Sequence, residues 1–161
     1  MKKRRLPFTD LRLSEIGFGA SPLGNIYTKN ITASNAKSLV EKAIDEGINY
    51  FDVAPYYGDT QAETYLGHSL PKNKDKLILS TKVGRYGKDT FDFSAKTIEA
   101  SVQNSLKRLQ TDHVDIIFCH DIEFVSEVTE EGLSQLVMYQ QALLAHNKGE
   151  ELHRTVLLSQ L

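Results

Sequence analysis

The chain carries four residues whose side chains suit a single proton-transfer reaction: Asp52, Tyr57, Lys82 and His120. They lie in the segments FDVAPYYG (51–58), LILSTKVG (77–84) and VDIIFCHD (114–121). A tyrosine with an ordinary pKa near ~10 is a poor acid at neutral pH, but an adjacent ammonium favours its phenolate. A carboxylate can hold that ammonium, and an imidazole can donate to a carbonyl oxygen or assist the transfer. Such a set suits protonation of a carbonyl oxygen, or deprotonation of an alcohol, while a hydride moves at the neighbouring carbon.

Each of these residues also has a purely structural interpretation. An aspartate at a strand end often caps a turn, and Tyr56 or Tyr57 can simply pack against the core. A lone lysine is usually solvated, and His120 followed by Asp121 can hydrogen-bond a loop. The joint occurrence of the four at the ends of successive predicted strands is what favours a functional site.

Strand-like and helix-like runs alternate from about residue 16 to residue 119, and this alternation predicts how the four residues are positioned. The hydrophobic patterns predict strands at 16–19, 48–53, 77–81 and 114–119, and helices at 32–46, 61–70 and 95–109. Strand starts about 30 residues apart indicate βαβ units in a parallel sheet with right-handed crossovers, hence an α/β fold. Loops beyond the carboxyl ends of such strands build the active site.

Capping residues and the N-terminal segment add smaller predictions. Thr32 or Ser34 can cap the first helix, Ser94 can cap the third, and Gly47 suits a helix C-cap. Residues 6–13 are predicted to form a small extension or a hairpin.

Composition excludes several classes of function. The chain has 161 residues, enough for one domain, and its 40% hydrophobic and 25% charged content is that of a soluble globular protein. A net charge of −2 argues against wholesale nucleic-acid binding.

The basic run at residues 2–5 is a localisation signal or a solvated end, and no apolar stretch of the length needed for a signal peptide or membrane span follows it. Cys119 is the only cysteine, which excludes an intrachain disulfide and a thiolate metal cage. We predict a cytoplasmic location, with no metal site and neither nucleic-acid nor membrane partners.

These segments resemble the N-terminal half of the aldo-keto reductase family. In that family a D-A-x-x-Y-G-type segment, a T-K segment and a strand-terminal histidine supply the catalytic residues, which match Asp52, Tyr57, Lys82 and His120. The family's early G-x-G segment is similar to Gly17-Phe18-Gly19, where the backbone approaches the cofactor. The resemblance therefore implies cofactor contacts at Gly19 and Asp52, and NAD or NADP as the cofactor.

The sequence around these residues is most similar to the L-galactose dehydrogenase and D-threo-aldose 1-dehydrogenase branch of the family. The similar segments are GFGASPLGNIY (17–27), FDVAPYYGDTQAETYLGHSL (51–70), GRYGKDTFDFSA (84–95) and CHDIEF (119–124). The resemblance implies oxidation of an aldose such as L-galactose at C1 to the lactone, a reaction of carbohydrate metabolism. It also implies that Tyr57 is the general base in that direction, and that Lys82 depresses its pKa while Asp52 orients Lys82. His120 would position the sugar.

The length of the chain shapes what is expected of the fold. The family's (β/α)8 TIM barrel takes about 250 residues or more, so we expect a truncated half barrel of about four β/α units. The single partial domain would comprise a family-like part at 8–124 and a divergent tail at 125–161. The tail suggests a helix at 126–148 and an apolar remnant at 156–158, without the glycine-bearing fifth strand of the family. We therefore expect a shortened product whose cofactor contacts fall mostly in an absent C-terminal half.

Three functional hypotheses follow from the sequence. The first is a sugar-oxidising NAD(P)-dependent reductase, with little or no activity from the 161 residues alone. The second is a non-catalytic half barrel that associates with itself or with a full-length relative through open sheet edges. The third is a nicotinamide-binding sensor, which the complete set of four residues makes the weakest of the three.

Overall fold

A parallel sheet of five strands organises the protein, seen in a computed structural model that describes residues 1–26, 30–125 and 156–159. In chain order the elements are β1 (Lys3–Arg5), β2 (Arg12–Ser14), β3 (Phe18–Gly19), α1 (Ala33–Asp45), β4 (Tyr50–Asp52), α2 (Gln61–Ser69), β5 (Ile78–Val83), α3 (Ala95–Leu109), β6 (Ile116–Cys119) and β7 (Val156–Ser159). Short 3₁₀ helices occupy Ser21–Gly24 and Ile122–Phe124. The sheet order is β3-β4-β5-β6-β7, so each strand lies beside its neighbour in sequence, as in a (β/α) barrel.

Side chains on the two faces of the sheet have different partners because they alternate along each strand. On the outer face Phe51, Leu79, Val83 and Ile117 join the main hydrophobic core. That core is completed by the buried stripes of the helices, which include Val40 in α1, Leu66 in α2 and Ile98, Val102 and Leu109 in α3. The inner face carries the remaining, mostly polar positions.

The β1–β2 hairpin closes the amino-terminal end of the inner face. Leu11 packs with Ile78 and Ile116 in a second, smaller core. Asn49 ties this hairpin to the start of β4, since its Oδ1 accepts from the Ser14 amide at 2.7 Å and its Nδ2 donates to the Arg12 carbonyl at 2.9 Å. The four residues singled out from the sequence lie at the opposite end of the strands, so this end of the molecule serves stability.

We expect Asn49→Ala to destabilise the protein by about 1–3 kcal/mol, because it leaves buried backbone groups of the hairpin without partners. Urea unfolding of the two proteins measures the difference. Asn104→Ala is the matched control, since Asn104 is exposed on α3 and should change stability by less than about 0.5 kcal/mol. Equal effects from the two substitutions would contradict the role given to Asn49.

The helices form where the sequence predicts them, with ends shifted by at most one residue. Thr32 caps α1 in a capping box with Asn35, and Gly47 follows the helix with a φ of +86°. Ser94 is the N-cap residue of α3, and its amide donates to the carboxylate of Asp92 at 2.8 Å. None of the helices in the described part of the chain is long and apolar enough to cross a membrane.

The predicted strands differ from the observed ones at their ends, and β3, β4 and β6 each begin two residues later than predicted. The third predicted strand continues through Val83 because Lys82 and Val83 pair with Phe118 and Cys119 of β6, so Lys82 lies inside β5 and not after it. The hairpin predicted near residues 6–13 is present, with residues 6–11 as the connection between β1 and β2. The apolar remnant of the tail belongs to a short fifth strand, Val156–Ser159, which pairs in parallel with β6 and contains no glycine. The predicted helix at 126–148 lies outside the described residues.

Candidate active site

An ion pair between Lys82 and Asp52 lies at the centre of the candidate site. Asp52 ends β4 and is in register with Ser80 of β5, so the alternation of β5 places Lys82 on the same face, one step further along. The Lys82 ammonium donates to both Asp52 carboxylate oxygens, at 2.7 and 2.6 Å, and to the Val53 carbonyl at 3.1 Å. Because the Lys82 side chain is only 8% exposed, its charge is held at one point.

Two hydroxyl groups, which were not predicted from the sequence, hold the Asp52 carboxylate in place. The Ser80 hydroxyl donates to Asp52 Oδ1 at 2.6 Å, and the Tyr50 hydroxyl lies 3.0 Å from Ser80 Oγ. Burial raises the pKa of Tyr50, so its phenol stays protonated and can donate to Ser80. The position of Ser80 could have been predicted from the sequence, because Ser80 and Lys82 are two residues apart in one strand and must share a face.

Tyr57 reaches the site from the turn that follows β4. Gly58 has a φ of +62°, and a Cβ there would overlap the carbonyl oxygen of Gly24. A Cβ at Gly24 would in turn lie 2.6 Å from the Tyr57 carbonyl oxygen, so the two backbones are in direct contact. This contact fixes the turn, and the Lys82 ammonium lies 5.2 Å from the centroid of the Tyr57 ring.

His120 follows β6 directly and completes the group. Its amide donates to the Val83 carbonyl at 2.9 Å, and its ring meets the Tyr57 ring edge-on, with centroids 5.5 Å apart. Burial lowers the pKa of His120 to about 4; Asp121 opposes this effect, and the cations of Lys82 and Arg85 add to it. The imidazole is therefore neutral at physiological pH. Within the described residues its buried Nδ1 has no hydrogen-bond partner.

The depressed pKa of His120 predicts a specific dependence of stability on pH. Below pH 6.5 the unfolded chain protonates this histidine, whereas the folded protein does not until about pH 4. The stability that the neutral His120 contributes is therefore fully present above pH 6.5 and is lost as the pH falls towards 4. We expect a loss of about 3 kcal/mol between pH 7 and pH 4 that His120→Gln removes, measured by urea unfolding across this range. His68→Gln, on the exposed side of α2, is the control and should keep the wild-type dependence. An unchanged pH dependence in His120→Gln would contradict the prediction.

An open pocket of about 300 Å³ lies beside the ion pair, on the inner face of the sheet. It is lined by Gly17, Phe18, Gly19, Tyr50, Asp52, Lys82 and Phe118. A Cβ at Gly19 would meet no protein atom within 4 Å, so the backbone there is open to a flat ring. Gly19 and Asp52, the two predicted cofactor contacts, thus share one pocket.

The structure brings together the four residues singled out from the sequence, on one end of three neighbouring strands. It adds a second ion pair that sequence reasoning missed, between Arg85 and Asp121, at the rim of the same site. In the described residues no group of three or more His, Cys, Asp or Glu side chains is arranged to hold a metal ion.

Comparison with known proteins agrees with this geometry. L-galactose dehydrogenase of Arabidopsis thaliana is 47% identical over 126 residues, which cover 76% of this chain and 39% of that protein. D-threo-aldose 1-dehydrogenase of a Pseudomonas species is 33% identical over 137 residues, covering 70% of this chain and 41% of that protein. An aldo-keto reductase of Bacillus halodurans, solved in its holo form, superposes with a TM-score of 0.76 at 29% identity, over 99% of this chain and 50% of the other.

The chain spans about two-fifths of the length of these curated relatives. The model of the Aldo/keto reductase family matches residues 15–145, which include the ion pair, both neighbouring rings and the three strands that position them. The fold, the strand order and this match agree, and the chain belongs to the aldo/keto reductase family.

Proposed function

We propose that this protein is an NAD(P)-dependent oxidoreductase that oxidises an aldose such as L-galactose at C1 to the lactone. The observation that carries the proposal is the buried Lys82 ammonium, held by Asp52 and placed beside the Tyr57 ring. The substrate class is supported by the 47% identity to a protein named L-galactose dehydrogenase.

In this proposal Tyr57 accepts the proton of the C1 hydroxyl. The fixed charge of Lys82 stabilises the phenolate that the reaction requires, and Asp52 keeps Lys82 from turning away. His120 is neutral and can hydrogen-bond a sugar oxygen without competing for the proton.

Gly19 and Asp52 would hold one edge of the cofactor in the pocket beside Lys82. Members of the family use NAD(P)H, and a bound nicotinamide would take up the hydride from C1. The oxidation then balances, because C1 loses a hydride and its hydroxyl loses a proton as the lactone forms.

A dehydrogenase assay of the purified chain tests this function. The chain is incubated with L-galactose or a related aldose and with NAD or NADP, and reduced nicotinamide is followed by its absorbance. A slow reaction that depends on the free aldose is expected. The methyl glycoside of the same sugar is the control, since it has no C1 hydroxyl to deprotonate and should not react. Equal reduction with the glycoside would contradict the proposal. No reduction with any aldose would rule out turnover by the 161 residues alone, from which little or no activity is expected.

The alternative function is a half barrel that associates with itself or with a full-length relative. In the described sheet β3 and β7 are the outermost strands, each with one strand neighbour, and such edges can pair with another chain. Size-exclusion chromatography over a range of concentrations separates the two proposals. A cooperative monomer at all concentrations would count against association.

A further inference from the structure

Arg85 makes more contacts at the rim of the site than its position in a loop suggests. It lies three residues after Lys82, and its side chain is only 17% exposed. Its guanidinium pairs with the Asp121 carboxylate, lies 4.1 Å from the centroid of the Tyr56 ring and donates to the Tyr56 hydroxyl at 3.3 Å. It also donates to the carbonyls of Gly87 at 3.2 Å and Lys88 at 2.9 Å.

The side-chain partners of Arg85 are direct sequence neighbours of site residues. Tyr56 precedes Tyr57, and its ring also meets the His120 ring edge-on, with centroids 5.8 Å apart. Asp121 follows His120, and its Oδ2 lies 3.8 Å from His120 Nε2. Asp121 has a φ of +52°, a left-handed conformation that is sparsely populated without glycine and needs support from its surroundings.

We propose that Arg85 is a positioning residue of the candidate site: it joins the loops that follow β4, β5 and β6, next to Tyr57, Lys82 and His120, and its charge balances Asp121. The inference rests on the proposed function only in taking those three residues as the reacting group. One guanidinium can do this because its planar fork donates in several directions at once, which a lysine ammonium cannot reproduce with the same partners.

The charge of Arg85 matters because of what surrounds His120. Four charged groups act on this ring, two acidic and two basic: Asp121, Asp52, Lys82 and Arg85. The phenol rings of Tyr56 and Tyr57 also lie against it, edge-on. Without Arg85, the nearest carboxylate would draw a proton onto His120 with less opposition. The imidazole would then take up its proton at a higher pH, and in its cationic form its charge would add to that of Lys82 beside Tyr57.

The test is an NMR titration of the His120 ring in the full chain. In Arg85→Gln, which keeps a hydrogen-bond donor but removes the charge, we expect the pKa of His120 to rise by about one pH unit. The double variant Arg85→Gln/Asp121→Asn, neutral at both positions, should return it toward the wild-type value. Arg85→Lys should keep the His120 pKa low while shifting the ring signals of Tyr56 and Tyr57, because charge is retained and the fork is lost.

Arg5→Met is the matched control, since it breaks an exposed Arg–Asp pair with Asp10 on the hairpin. It should leave the His120 pKa unchanged. An unchanged His120 pKa in folded Arg85→Gln, or the same rise in Arg5→Met, would overturn the proposal. If Arg85→Gln does not fold, Arg85→Lys decides alone, and unmoved tyrosine signals there would overturn it. The titration requires no turnover, so it can succeed or fail independently of the aldose assay.

Discussion

Replacing Tyr57 by phenylalanine is expected to lower the rate of aldose oxidation by a factor of about 10²–10⁴, the usual contribution of a positioned acid–base group. The substitution keeps the ring that meets His120 with centroids 5.5 Å apart, and removes only the phenolic oxygen that we propose accepts the C1 proton as the phenolate. Packing and folding should therefore change little. The measurement is kcat/KM for L-galactose in wild type and variant under the same conditions.

Tyr65→Phe is the matched control for this experiment. Tyr65 is a partly buried residue of α2 that packs against the main core, on the other side of the sheet from the pocket. Loss of its hydroxyl should change the rate less than twofold. Equal rates for wild type and Tyr57→Phe would remove the role proposed for Tyr57, whereas a fall confined to substrate affinity would make it a binding residue.

Replacing Glu63 by alanine should destabilise the protein by about 3–5 kcal/mol, the usual cost of removing one partner of a buried ion pair. Glu63 is fully buried in α2. Its Oε1 accepts from the Thr81 hydroxyl at 2.6 Å and its Oε2 accepts from Arg108 Nε at 2.6 Å. One carboxylate therefore links α2 to both β5 and α3, and its loss leaves a guanidinium and a hydroxyl without that partner. Urea unfolding at pH 7 measures the effect.

Two further variants test whether the loss of stability in Glu63→Ala comes from the buried ion pair or from removing any carboxylate. Glu41→Ala removes an exposed carboxylate 3.8 Å from Lys37 and should cost less than about 1 kcal/mol. The apolar triple variant Glu63→Leu/Thr81→Val/Arg108→Met should recover most of the loss, since buried pairs can often be replaced by apolar groups of similar volume. A loss below about 1 kcal/mol in Glu63→Ala would show that Arg108 finds another partner or water.

Much of the fold was predictable because the residue pattern within most helices and strands indicates their secondary structure. Helices such as α3 have one apolar stripe at helical spacing, and buried strands such as β5 are short apolar runs between polar turns. Strand ends were less accurate, because the end of β5 depends on pairing with β6 and not on its own residues. The strand at 156–159 was missed for the same reason: four apolar-rich residues become a strand only beside a partner.

The candidate site was predictable to the extent that its residues are chemically distinctive. Asp52, Tyr57, Lys82 and His120 stand out by type and by place, and the structure brings them together. Residues that support other site residues cannot be recognised by their type. Ser80, for example, is distinguished from the other serines only by its hydrogen bond to Asp52. Arg85 belongs to a loop, and only tertiary structure shows which neighbours its guanidinium meets.

The strict alternation of β5 limits how this site can change by insertion or deletion. Deleting one residue before Lys82 would turn its ammonium away from Asp52 and into the apolar layer that Leu79 and Val83 share with the helices. The same event would bring Val83 to face the carboxylate. A shift of one position would thus damage both chemistry and core, whereas changes of length are tolerable in the loops. Natural variation in length should therefore fall between the strands, and the spacing from Ser80 to Lys82 should stay fixed.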